Sequence, residues 1–223
     1  MTGKLFVEAI TKVTAGIVLL GALIFGPAGT FDYWQGWLLF GILFVPMIIA
    51  GFVMMVKNPE LLRKRLAAKE KENTQKAVVA ISGLMFIAGF VVSGLGIRFG
   101  WYMLPDWAVI LGAVLFLFSY VLYAEVLREN TYLSRTIEVQ ENQKVISTGL
   151  YGIVRHPMYM ATIVLFLSMP LVLGSVYAFI IFLVYPFVIA ARIKNEEEVL
   201  EKGLEGYTEY KQRVKYRILP FIW

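Results

Sequence analysis

The sequence predicts an all-α, polytopic integral membrane protein with four spans, a C-terminal helical hairpin and an amphipathic tail. Three observations carry that prediction. Hydrophobic residues make up 59% of the chain against 17% charged, with a mean hydropathy of +0.70, a balance that a water-solvated domain would not show. Five stretches, 13–26, 35–56, 77–97, 107–127 and 158–191, are too apolar for surface helices and read as membrane segments. The basic residues fall on one side if these segments alternate.

The first span follows Lys4, Glu8 and Lys12, and no small-residue cleavage pattern stands clear of it, so no cleavable leader is expected. After the second span comes KNPELLRKRLAAKEKENTQK, with Lys57, Arg63, Lys64, Arg65, Lys69, Lys71 and Lys76. Within it Asn58 can cap and Pro59 can open a short helix that carries Leu61, Leu62 and Leu66 near one face and lies flat on the membrane. The first and third connections, PAGTFDYW and RFGWYMLPDW, hold only Arg98 of the 21 basic residues, and they hold Trp34, Trp37, Trp101 and Trp107, which suit the opposite interface. The amino end, the connection 128–157 and the tail after 191 are therefore expected in the cytoplasm. The last apolar stretch exceeds one span, and SMPLVLGSVY in its middle predicts either a tight hairpin or one span bent at Pro170 and Gly174.

Other classes are excluded by composition. Cysteine is absent and histidine occurs once, so neither a disulfide framework nor a zinc or iron site is expected. The glycines of GLGIRFG lack the strand context of a dinucleotide fingerprint. The net charge of +5 orients the chain and meets anionic lipid, and no nucleic-acid role is expected. No linker or internal repeat divides the chain, so 1–223 is expected to form one membrane domain, with 1–127 as scaffold and 128–223 as the working portion. Heavy use of lysine, isoleucine and glutamate without cysteine suggests a prokaryotic plasma membrane.

Two polar islands remain on the basic side. One ends in TGLYGIVRHPMY, where Pro157 suits a first helical turn and leaves Arg155 and His156 beside a helix amino terminus, near Tyr159, where an anion or polar ligand can be held. Taken singly, His156 could also be an interfacial side chain capping that helix, and Tyr151 an interface anchor. The other island, RIKNEEEVLEKGLEGYTEYKQRVKYRILPFIW, places Arg192, Glu196 and Leu200 on one helix face with Glu197 beside them. Val199, Leu200, Leu204, Tyr207, Tyr210 and Val214 then give an amphipathic tail broken at Gly203 and Gly206. Carboxylates this near hydrocarbon are costly unless paired, so a partner cation or ligand is expected.

TGLYGIVRHPMY, then RIKNEEEVL about 30 residues later, then EYKQRVKYRILPFI together resemble the isoprenylcysteine carboxyl methyltransferase family, part of a wider set of membrane methyltransferases that includes phospholipid N-methyltransferases. The likeness runs from Asn130 onward. It implies an enzyme using S-adenosylmethionine, with His156, Pro157 and Tyr159 on the family's histidine-proline-x-tyrosine element and Glu196 and Glu197 on its paired glutamates. Gly149, Tyr151 and Arg155 fall on the lead-in, and Gly149, Leu150, Tyr151, His156, Pro157, Tyr159, Glu196 and Glu197 are expected to bind the cofactor. Ala161 departs from the glycine that family members commonly have two residues after the tyrosine.

A carboxylate acceptor is already ionised and needs only a cation to place it, for which Arg155 and Arg192 are the candidates. An ethanolamine acceptor would need a base, which Glu196, Glu197 or His156 could supply. The expected partners are thus membrane lipids and a lipophilic or lipidated substrate, the runner-up being phospholipid N-methylation. A non-catalytic scaffold or transporter stands as a different class, against which few ionisable groups lie within the spans.

Overall fold

The computed structural model describes residues 2–66, 73–130, 132, 139 and 142–223. Lys69 and Lys71 of the basic connection, and most of 131–141, lie outside them.

Helix α1 (Thr2–Ala28) starts well before its apolar run, and α2 (Trp34–Lys57) is followed at once by the short α3 (Pro59–Leu66). The Asn58 side chain accepts a hydrogen bond from the Leu61 N–H at 3.1 Å, so the expected cap is present, and of the three leucines Leu62 is buried while Leu61 and Leu66 are half-buried. Then come α4 (Asn73–Arg98), α5 (Asp106–Glu129), a 3₁₀ turn (Gly149–Gly152), α6 (Pro157–Val172), α7 (Val176–Phe182), α8 (Tyr185–Gly203) and α9 (Tyr207–Arg213).

Among the described residues, five helical stretches are long and apolar enough to cross a membrane: Gly3–Ala28, Trp34–Lys57, Lys76–Arg98, Asp106–Glu129 and Val176–Gly203. The last apolar region is a hairpin. Pro170 stays inside α6, and the chain reverses at Gly174, whose φ of +67° is the left-handed conformation that glycine adopts without a Cβ penalty. Its ascending arm, α6, is a shorter apolar helix.

Three connections meet at the end of the bundle away from the polar islands. The Tyr33 hydroxyl donates to the Leu173 carbonyl at 2.6 Å, the Leu104 N–H donates to the Gly174 carbonyl at 2.8 Å, and Met103 pairs with Ser175 in an isolated antiparallel bridge. The four tryptophans of this end are exposed. Alternation of the segments follows directly, because the first, third and hairpin turns share one face and the polar islands share the other.

Within hydrocarbon, burial of apolar surface gives helices little reason to associate, so close backbone packing must do it. Gly94 allows this between α1 and α4: a Cβ there would lie 2.4 Å from the Ile24 carbonyl oxygen. Gly112 does the same between α5 and α6, where a Cβ would meet Leu171 Cβ at 2.7 Å. Fully buried Ile24, Leu39, Phe116, Val172 and Phe182 fill the space so created and join the scaffold helices to the hairpin. A satellite cluster of Leu204, Tyr207, Tyr210 and Val214 packs with Val139, Val145 and Leu200, which is the inward face expected of the tail.

Candidate active site

Pro157 opens α6, and its ring holds the preceding residue out of the helical region, so His156 takes φ −126° and ψ 59°. The imidazole makes no capping bond to α6. The backbone there is instead tied to the tail: the Arg155 and His156 N–H groups donate to the carbonyls of Tyr216 and Arg217 at 2.9 and 2.8 Å.

The tail is held from the side chains as well. Arg155 Nη1 donates to the Val214 and Lys215 carbonyls at 2.6 and 2.8 Å, while its Nε donates to Glu197 Oε1 at 2.8 Å. His156 Nε2 lies 3.2 Å from the same oxygen. Arg217 Nε and Nη2 donate to the other carboxylate oxygen of Glu197 at 3.0 and 2.8 Å, and the Trp223 ring lies under the Arg217 guanidinium. Arg155, His156 and Glu197 side chains are only 3–4% exposed, so this carboxylate is a buried hub that joins the start of α6, the second half of α8 and the tail. Burial of those charges is tolerable because each carboxylate oxygen is met by a guanidinium.

Glu196 is one step round α8 and faces elsewhere. It accepts a short hydrogen bond from the Tyr159 hydroxyl, which in turn accepts from Arg192 Nε at 2.9 Å, and the Arg192 guanidinium lies over the Tyr159 ring. Arg192, Glu196 and Leu200, four residues apart, line one wall of a cavity; Tyr151, His156 and Tyr159 line another; Tyr207 and Tyr210 close its end. The sequence-remote islands therefore converge.

Of the remaining predicted residues, Arg155 also lines this cavity, and the others shape it without lining it. Gly149 has φ +52°, and a Cβ there would sit 2.8 Å from the Glu129 carboxyl carbon. That close fit lets Thr148 donate to Glu129 at 2.6 Å and anchors the 3₁₀ turn, in which the Leu150 carbonyl accepts from the Ile153 and Val154 N–H groups. The turn places Tyr151, whose hydroxyl accepts from Asn130 Nδ2 at 3.0 Å and whose carbonyl accepts from the Tyr210 hydroxyl at 2.7 Å. Ala161 is buried.

Burial pushes the Tyr151 phenol up to about 12, with the Glu196 charge adding to it against the pull of Asn130 and Arg65. Burial likewise raises the Tyr207 phenol, with the Glu197 and Glu196 charges reinforcing it. Both stay neutral hydrogen-bond donors at physiological pH. Among the described residues, Tyr207 has no partner for its buried hydroxyl. A buried, unpaired donor is costly, and one on the lining of a cavity is a group that a polar ligand could satisfy.

Arg217, Asn130, Tyr207 and Tyr210 are contributors that motif spacing did not single out. For the tyrosines, their recurrence on the inward face of the amphipathic tail was the available signal; for Arg217 and Asn130 no periodic signal exists.

Residues 107–205 match the phospholipid methyltransferase family model. That span holds the 3₁₀ turn, the RHPMY element and the glutamates of α8, but it stops before α9 and Arg217. The chain is also similar to the Delta(14)-sterol reductase TM7SF2 of Mus musculus, at 29% identity over 91 residues, 40% of this chain and 22% of that relative. The chain thus matches under a quarter of that relative's length. The family match supports a membrane methyltransferase of the wider superfamily expected from the sequence; it does not single out the isoprenylcysteine carboxyl methyltransferases.

The donor set fits a nucleoside cofactor of methyl transfer: a half-buried carboxylate, neutral phenol donors and one of them unpaired. At about 100 Å³ the cavity is smaller than the ~300 Å³ at which small-molecule pockets begin.

Proposed function

We propose that this protein is an integral membrane methyltransferase that uses S-adenosylmethionine and methylates a carboxylate on a lipophilic acceptor, of which a prenylated molecule is one candidate, reaching the site from the bilayer. The observation that carries this reading is the joining of the His156–Tyr159 element to the Arg192–Glu196 face of α8 around one cavity, inside the stretch that matches the methyltransferase family model.

When bound, the cofactor supplies an electrophilic methyl on a sulfonium, a leaving group that needs no acid. The protein's task is then binding, alignment and exclusion of water. Glu196 would hold its ammonium or ribose hydroxyls, and Tyr207 and Tyr159 its polar edges. Glu197 would act one step back, by keeping His156 and the tail in place. For the acceptor we assign Arg192, a cavity-lining cation oriented by the Tyr159 hydroxyl; Arg155 lines the cavity too, but its guanidinium is turned to Glu197 and two carbonyls, so we assign it to holding the tail. The basic side carries the site, which supports a cytoplasmic active site.

The family model's own description favours a second reading, methylation of a phospholipid amine, with Glu196 as the base. Labelled S-adenosylmethionine given to the purified protein with bacterial lipid extract separates the two. Alkali releases methanol from a methyl ester and leaves a methylated amine intact. Absence of labelled lipid, together with binding of a reduced nicotinamide nucleotide and none of S-adenosylhomocysteine, would overturn both.

A further inference from the structure

Arg65 is the charged group that the site described above leaves unused. It lies in α3, on the polar-island side of the bundle, where Lys12 Nζ of α1 donates to the neighbouring Leu66 carbonyl at 2.7 Å. Its guanidinium reaches α5 and sits over the Tyr123 ring, 5.1 Å from the centroid. There its Nη2 is buried and has no hydrogen-bond partner among the described residues.

The neighbouring acids are already engaged. Glu125 and Glu129, on the same end of α5, are both paired with Arg128, and Glu129 also accepts from Thr148. A cation over an aromatic face recovers part of what desolvation takes away, yet a guanidinium has five donors in a planar fork suited to an oxyanion. An arginine that served only as a membrane-surface charge would extend its head into water or lipid headgroups. This one is folded inward onto α5, near enough to Tyr151, a wall of the cavity, for its charge to act on that phenol.

We infer that Arg65 is a specificity-determining residue, which takes the oxyanion of an anionic amphiphile, a phosphate or carboxylate head, whose apolar chain lies in the bilayer beside α5. This deepens the proposed function by adding a second cation, outside the cavity lining, that selects the anionic head of the acceptor alongside Arg192, and it rests on that reading for its link to catalysis.

The test uses the full chain in zwitterionic nanodiscs, with Arg65→Gln, Arg65→Lys and the exposed neighbour Arg63→Gln as control. Arg65→Gln should fold, because among the described residues the buried Nη2 makes no hydrogen bond that the substitution would break. The probes are a monoacylglycerol phosphate, the uncharged monoacylglycerol of equal chain length, and inorganic phosphate. Binding is read by native mass spectrometry. The anionic amphiphile should bind Arg65→Gln at least ten-fold more weakly than the wild type, Arg65→Lys should fall between, and Arg63→Gln should match the wild type. The uncharged probe should not distinguish them. Equal losses in Arg63→Gln, or for the uncharged probe, would reduce Arg65 to a general surface contact; inorganic phosphate binding as tightly as the amphiphile would make it a free-anion site. Either result overturns the inference. S-adenosylhomocysteine binding, measured in parallel, should be unchanged in Arg65→Gln. Its absence in the wild type would sink the methyltransferase reading and leave the amphiphile result standing on its own.

Discussion

Replacing Glu197 by glutamine separates its holding role from a ligand-binding one. The wild-type carboxylate accepts from Arg155 and His156 on one oxygen and from Arg217 on the other. An amide has a single acceptor oxygen, so in either orientation its NH₂ group faces a guanidinium. If it faces Arg155, whose side chain is 4% exposed, a buried cation loses its counter-charge and keeps two neutral carbonyls; breaking such a pair costs about 3–5 kcal/mol, and the carbonyls argue for the lower end, about 3 kcal/mol. Turning the amide to spare Arg155 instead breaks the Arg217 pair, whose 26% exposure limits that loss to roughly 1 kcal/mol, and leaves the buried site without its negative charge. A net destabilisation of about 2–3 kcal/mol is therefore expected. Equilibrium unfolding in mixed micelles measures it, and Glu196→Gln is the counterpart. Glu196 is half-buried and its amide can still accept from Tyr159, so stability should change by less than ~1 kcal/mol. Its affinity for S-adenosylhomocysteine should fall about 10- to 100-fold, the worth of one charged hydrogen bond. Exposed Glu198→Gln is the control for both. A stable Glu197→Gln protein that no longer binds the nucleoside would refute the assignment of Glu197 to the hub.

Three further outcomes are expected. Tyr207→Phe removes a hydroxyl with no partner among the described residues, so thermal stability should hold or rise slightly, while calorimetric affinity for S-adenosylhomocysteine drops about ten-fold, the worth of one hydrogen bond. Gly94→Ala forces a methyl against the Ile24 carbonyl and should destabilise the bundle by about 1–3 kcal/mol, with cofactor affinity per folded molecule retained. Gly149→Ala meets both a left-handed φ and the Glu129 carboxylate; a stability loss of roughly 1–2 kcal/mol should come with weaker nucleoside binding, because the turn that places Tyr151 is displaced.

What could be read from the chain, and what could not, follows the range of the forces involved. The spans and their alternation were legible because each depends on residues next to one another: apolar runs, a proline at the start of α3 and of α6, a glycine at the hairpin reversal. The grouping of Arg192, Glu196 and Leu200 was legible for the same reason, since a four-residue step is a property of one helix. Nothing local distinguishes Glu196 from Glu197. One faces the cavity and the other is buried among Arg155, His156 and Arg217 only because the tail returns across the start of α6, and that return is fixed by backbone hydrogen bonds between segments about 60 residues apart. The same packing turned Arg155 inward, left Tyr207 without a partner among the described residues and laid Arg65 over Tyr123. Sequence alone set which charges this protein carries to its polar face; tertiary structure decided which neutralise one another there and which stay open to a ligand, because pairing depends on distances of about 3 Å that only the folded backbone imposes.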